Sequence, residues 1–216
     1  MSCVSEGRLT TAYNPLVSNG KFSRVYHFDS KVAVEDHVRE LGIPASVFMA
    51  GFYMGNIPGQ QFRPSGPDGA WTFAAPFSED TPIPLYDPRD TGKYIKAIVL
   101  NEEYFLNRGE GKGKGRRFTG ATAYVTAREI VDTFRSVFPQ AGATARFVQI
   151  SEAEYRATLA GYPEIAIIEL YENMRLIEEY GYYGGEPLEN SLKYVEDPLT
   201  SWADYIRGHE VFAGLK

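Results

Sequence analysis

Apolar and polar positions change period three times between Val25 and Asn56, VYHFDSKVAVEDHVRELGIPASVFMAGFYMGN. Val34, Val38 and Leu41 recur at helical spacing and predict an amphipathic helix. Asp29 or Ser30 is the expected N-cap, and Gly42 followed by Pro44 the expected stop. At about 100° per residue, Lys31 falls on the same face as those three apolar residues. It is either a snorkelling stem or an ammonium aimed into a cleft. The apolar run 45–50 has the length of a buried strand. An aromatic-rich loop, GFYMGN, follows it.

Later segments carry further local signals. Residues 71–76 alternate and predict an edge strand, inside a proline-punctuated stretch from 57 to 90. Trp71, Phe73, Phe77 and Tyr86 are candidates there for a pocket wall or for packing beneath a loop. Asp90 is the expected cap of a helix reaching about Leu106, with Tyr94, Ile98 and Leu100 inward. Residues 118–124 and 145–150 read as strands. Thr126 with Glu129, and Ser151 with Glu154, have capping-box spacing. The first box opens a helix with Ile130, Val131, Phe134 and Val137 on one face, and the second a helix to about Ala160. Pro163 opens a helix to Tyr180 with Ile167, Leu170, Met174 and Ile177 aligned. A last short helix spans Trp202 to Arg207. This alternation of strands and helices predicts an α/β fold whose C-terminal half forms a smaller α+β lobe.

Composition narrows the chemistry. Hydrophobic residues make up 44% and charged residues 23%, as in ordinary globular proteins. A net charge of −6 argues against general nucleic-acid or anionic-membrane binding. The 15 Tyr and 13 Phe suit an aromatic core or an aromatic-lined pocket equally. Cys3 is the sole cysteine, which excludes an internal disulfide and a thiolate metal cluster. With no apolar run of membrane-spanning length and no signal-peptide pattern, a cytoplasmic location is expected. His27, His37 and His209 are scattered without metal-ligand spacing, so no metal is expected. There is no G-x-S-x-G elbow for a serine nucleophile. The basic run 108–118, RGEGKGKGRRF, matches neither phosphate-loop motif and reads as a solvated turn. Binding a cofactor phosphate or a partner's acidic face is its other reading.

VYHFDSK, GIPA, GFYMGN, DTGKYIKAIVL, YVTAREIVDTF and EEYGYYGG together resemble the NmrA-like family, atypical relatives of the short-chain dehydrogenases. The resemblance covers nearly the whole chain from about Asn19. It implies the C-terminal portion of a Rossmann-like NAD(P)-binding fold over residues 1–125, with a smaller α+β lobe over 126–216. It also implies NADP(H) as cofactor. Lys31 matches the lysine beside the nicotinamide ribose, and Gly51, Phe52, Tyr53 and Asn56 match the segment lining the nicotinamide end. Phe52, Asn56 and Trp71 are the expected substrate contacts.

Two departures shape the expected function. The tyrosine that precedes the lysine by four residues in ordinary short-chain dehydrogenases is replaced by His27, and Tyr26 is one position too early. The family's opening strand and glycine-rich phosphate turn are also missing, which would remove the backbone amides that hold a pyrophosphate. The chain begins roughly where the family's fifth strand would end, and so reads as a truncated cofactor domain. A sheet without its first strands exposes unpaired backbone groups, so a homo-oligomer, a swapped element or strand re-pairing is expected.

The resemblance therefore implies an NAD(P)(H)-linked redox sensor or transcriptional co-regulator with a regulatory protein partner, cytoplasmic or nuclear, rather than a standard dehydrogenase. The alternative is a cofactor-independent isomerase, dehydratase or cyclase acting on a small carbonyl compound. In it, Lys31 would tune acid–base chemistry or stabilise an enolate, Tyr53 would donate a proton and Asn56 would orient the carbonyl. Tyr26 and His27 are weaker candidates for those roles. A third reading is an interaction protein or fragment without a site of its own.

Overall fold

The structure, a computed structural model, describes residues 18, 20–106 and 115–216. Cys3, residues 9–13, whose sequence LTTAY reads as one short strand, and most of the basic run lie outside the described residues. In chain order the elements are α1 (Tyr26–Glu40), β1 (Val47–Ala50), β2 (Phe52–Tyr53), β3 (Phe62–Ser65), β4 (Ala70–Ala75) and β5 (Ile83–Tyr86). Then come α2 (Thr91–Leu100), α3 (Glu102–Phe105), β6 (Arg117–Gly120), β7 (Ala123–Val125), α4 (Ala127–Val137) and β8 (Arg146–Gln149). The chain closes with α5 (Glu152–Thr158), α6 (Glu164–Tyr180), α7 (Glu189–Leu192) and α8 (Trp202–Arg207). The result is the expected α/β architecture.

Three short ladders replace one continuous sheet. β1 pairs in parallel with β6, β5 lies between parallel β2 and antiparallel β7, and β4 lies between antiparallel β3 and parallel β8. β4 is therefore the central strand of its ladder, not the edge strand that its alternation suggested. Side chains bury both of its faces, which alternation alone does not reveal. The strand expected over 118–124 divides into β6 and β7. The chain turns out of the β1 ladder at Ala121, and Thr122 N–H donates to Leu85 O at 2.8 Å. The β4–β8 ladder joins residues on either side of the expected 125/126 division, so the two halves share one sheet.

Local capping signals appear as expected. Thr126 and Ser151 each complete a capping box with the glutamate three residues on. The helix expected from Asp90 stops at Leu100, which is exposed, and Asn101 separates it from α3. Asp90 does not cap α2. Its carboxylate accepts Thr200 N–H at 2.7 Å and pairs with Lys93 at 2.6 Å, tying the α2 corner to the C-terminal segment.

α1 departs most from its reading. It begins at Tyr26, four or five residues earlier than a cap at Asp29 or Ser30 would start it, and Val25 makes no side-chain cap. Its buried residues are Phe28, Val32 and Glu35, while Val34 and Leu41 are 65% and 61% exposed. The inward face is chosen by long-range partners. Phe28 packs edge-to-face on Tyr182 at 5.6 Å. Buried Glu35 accepts from Arg39 at 2.6 Å and from Arg117 on β6 at 2.9 Å. Gly42, with φ +71°, turns the chain out of the helix as expected.

Trp71 lies in the main core rather than on a pocket wall. Its ring is 5.2 Å from both Phe134 and Phe212 and 5.6 Å from Phe62. Phe73 and Phe77 are buried with it, and Tyr86 joins a second cluster with Tyr94, Phe105 and Phe118. Trp71→Ala should lower the unfolding free energy by about 3–5 kcal/mol, the usual cost of emptying an aromatic core site. Urea denaturation measures this, and a loss under about 1 kcal/mol would contradict the core assignment.

Candidate functional site

The candidate site begins with the path from α1 through residues 41–46 into β1. That short connection sets α1 antiparallel to β1, so Lys31 near the helix start lies toward the carboxyl end of the strand. Residues Gly51–Asn56 leave from the same end, the usual ligand end of an α/β sheet.

Gly51 is required by crowding. A Cβ there would sit 2.5 Å from Pro84 O and 3.1 Å from the Cβ atoms of Ala121 and Tyr86. Phe52 is buried, whereas Tyr53 is 46% exposed with its ring 5.4 Å from that of Tyr86. The Tyr86 hydroxyl bonds to Thr91 Oγ1, which itself donates to Pro88 O at 2.6 Å. Burial raises the Tyr86 hydroxyl above its ordinary pKa. Asn56 is exposed on the single turn Met54–Asn56. Beneath this segment, Tyr182 and Tyr183 donate hydroxyl hydrogen bonds to Gly51 O at 3.4 Å and Met49 O at 2.8 Å. Burial raises both phenols well above the ordinary tyrosine range, so they act as neutral donors holding the strand end.

The start of α1 is stitched to α6. His27 N–H donates to Glu169 Oε1 at 2.6 Å, and the His27 ring Nδ1 lies 2.6 Å from the same oxygen. Arg24 N–H donates to Glu172 at 2.8 Å. Burial, reinforced by the nearby Glu169 charge, raises the Asp29 carboxyl above its ordinary value. The Lys31 ammonium is exposed and donates to His27 O at 3.1 Å. Tyr26 is 43% exposed.

Among the described residues, no hydrogen bond joins Lys31 or His27 to Tyr53. Lys31 instead lines a groove of about 490 Å³ between α1 and β1, with Val34, Val38, Val47 and Phe48. Gly51–Asn56 and Trp71 do not line it. Glu169, Glu172 and Tyr182 were not legible as partners of this site, because each lies more than 100 residues from what it touches.

A bound dinucleotide can be tested against these residues. Lys31, Tyr53 and Asn56 are all exposed, but Lys31 lines the α1–β1 groove and Tyr53 and Asn56 do not. The start of α1 does not fit a pyrophosphate, because carboxylates already occupy the His27 and Arg24 amides. Among the described residues, no group of three or more His, Cys, Asp or Glu is placed to hold a metal. No helix among them is long and apolar enough to cross a membrane.

His27→Tyr restores the Tyr-x-x-x-Lys spacing but leaves residue 27 directed at α6. No reductase turnover is expected from it, followed as NADPH absorbance with a quinone acceptor. A gain of turnover would show that the spacing alone is limiting.

Comparison with known proteins places this geometry. The nitrogen metabolite repression protein nmr of Neurospora crassa is 32% identical over 110 residues, covering 49% of this chain and 21% of that protein. Its counterpart nmrA of Emericella nidulans is 26% identical over 151 residues, covering 67% of this chain and 40% of that one. The chain thus spans less than half the length of these curated relatives. The crystal structure of NmrA, a negative transcriptional regulator, in complex with NADP superimposes with a TM-score of 0.61 at 18% identity. That match covers 86% of this chain and 61% of the NmrA chain, and at this identity it shows the fold. The profile of the NmrA-like family matches residues 12–206, from ahead of α1 to the last turn of α8, and the chain therefore belongs to the NmrA-like family.

Proposed function

We propose that this protein is an NAD(P)(H)-linked regulator of the NmrA-like kind, acting through protein contacts rather than as a standard dehydrogenase. The observation that carries this reading is the pair of bonds at the start of α1. The residue in the tyrosine position, His27, is committed to Glu169, and the exposed Lys31 ammonium donates to the His27 carbonyl. A dehydrogenase of the short-chain type needs a hydroxyl and an ammonium acting together on the substrate carbonyl. His27 carries no hydroxyl, and Tyr26 lies five rather than four positions before Lys31.

The relatives named as nitrogen metabolite repression proteins support a role as co-regulator. In this reading Lys31, Tyr53 and Asn56 hold the nicotinamide end of the nucleotide. The bound nucleotide supplies a redox-dependent difference in charge and shape at that end. Gly51 and Phe52 set the backbone from which Tyr53 and Asn56 reach it. The protein contacts are with a regulatory partner, in the cytoplasm or the nucleus.

Calorimetric titration of the chain with NADPH and NADP⁺ tests the reading. Micromolar binding, worth about −8 kcal/mol, is expected. Lys31→Ala should abolish that binding while leaving the melting temperature nearly unchanged, since its ammonium is exposed. No binding by a well-folded chain would overturn the nucleotide link. Cofactor-independent isomerase, dehydratase or cyclase chemistry on a small carbonyl compound would then be the standing reading.

A further inference from the structure

Tyr53 and Tyr86 are register partners on the parallel strands β2 and β5. The chain therefore leaves both strands side by side, through the single turns Met54–Asn56 and Pro88–Asp90. Both turns lie beyond carboxyl ends of parallel strands, where α/β sheets hold ligands. Asn56 and Arg89 are exposed on them.

α8 closes this rim. Its first residue, Trp202, is buried and donates its indole N–H to Ile130 O at 3.2 Å. The Trp202 ring stacks on Tyr205 with centres 5.8 Å apart, which fixes Tyr205 from the core side. Tyr205 reaches both turns. A Cβ at Gly55 would lie 3.4 Å from its hydroxyl, and the Arg89 guanidinium carbon lies 5.3 Å from its ring centre.

Arg89 is held along one edge only. Buried Asp87 accepts through Oδ2 from Arg89 Nε at 2.8 Å and Nη2 at 2.6 Å, and through Oδ1 from the Arg89 backbone N–H at 2.9 Å. Among the described residues, Nη1 makes no hydrogen bond, and the side chain is 67% exposed. A planar guanidinium pinned by one edge and by a ring face offers its other edge to an oxyanion in a fixed orientation.

We propose that Arg89 receives the oxyanion, carboxylate or phosphate, of a planar ligand whose ring lies on Tyr53 and whose polar edge meets Asn56. The inference rests on the reading of Tyr53 and Asn56 as ligand contacts. It adds Arg89, positioned by Asp87 and Tyr205, as the residue that selects for negative charge. This rim then supplies the anion contact that the start of α1 does not, since Glu169 and Glu172 occupy the amides there.

Titration of the whole chain with two ligand pairs that differ in charge tests this. Nicotinamide mononucleotide against nicotinamide riboside probes a phosphate, and nicotinate against nicotinamide probes a carboxylate. In one pair at least, the charged member should bind about tenfold or more tighter, as a charge-assisted hydrogen bond allows. The pair that shows the preference identifies the anion. Arg89→Gln should abolish the preference. Arg89→Lys keeps a cation beside Asp87 but loses the fork, and should remove most of it. Tyr53→Ala should weaken both members of the pair alike and leave their ratio unchanged. Absence of a preference in both pairs would overturn the proposal. So would a preference that survives both Arg89 substitutions, the result expected if Arg89 serves only to pair with Asp87. A chain that shows the Arg89-dependent preference without binding NADPH loses the NAD(P)(H)-linked reading alone. A chain that binds NADPH with no preference for charge loses the Arg89 assignment alone.

Discussion

The ion pair of Glu35 with Arg39 and Arg117 sets the orientation on which the candidate site depends. A carboxylate buried to this degree is costly unless paired, and losing one partner of such a pair typically costs about 3–5 kcal/mol. Glu35 accepts from Arg39 within its own helix and from Arg117 across on β6, so the helix cannot roll without stranding a charge. Phe28 and Val32 are thereby turned inward. Lys31, Val34 and Leu41 are turned outward by the same rotation. The proposed nicotinamide contact of Lys31 is a consequence of that one choice.

The amino end of α1 is constrained differently. Helix starts ordinarily attract anions. Here Glu169 and Glu172 of α6 fill that role from within the fold, accepting the His27 and Arg24 amides. The arrangement spends the helix start on internal cohesion and holds the His27 ring away from Lys31. A regulator can use such a site, because recognition of a nicotinamide end needs donors and a ring face but no proton transfer.

The segment after β1 shows how crowding and burial position the remaining candidates. Gly51 lets the strand pass under Pro84 without a Cβ. The Tyr182 and Tyr183 hydroxyls anchor the carbonyls of Gly51 and Met49 from below. Tyr53 and Asn56 are consequently presented outward on a backbone fixed from the core side, which suits a recognition surface.

Local chemistry in the sequence determined much of the fold. The boxes at Thr126 and Ser151, the stop at Gly42, the strand near 45–50 and the helix from Trp202 to Arg207 are all encoded within a few residues. Each depends on hydrogen bonds or backbone angles that close over one turn. The family motifs were legible for the same reason, being contiguous. Tertiary structure alone decided which face of α1 is buried, because Arg117 and Tyr182 lie far along the chain and outweigh the Val34–Val38–Leu41 pattern. It also decided that Trp71 is core, through Phe134 and Phe212, and that β4 is central, through β8. The partner of His27 sits 142 residues away. Burial is a property of what arrives from elsewhere in the chain, and hydrophobic spacing within one segment does not carry that information.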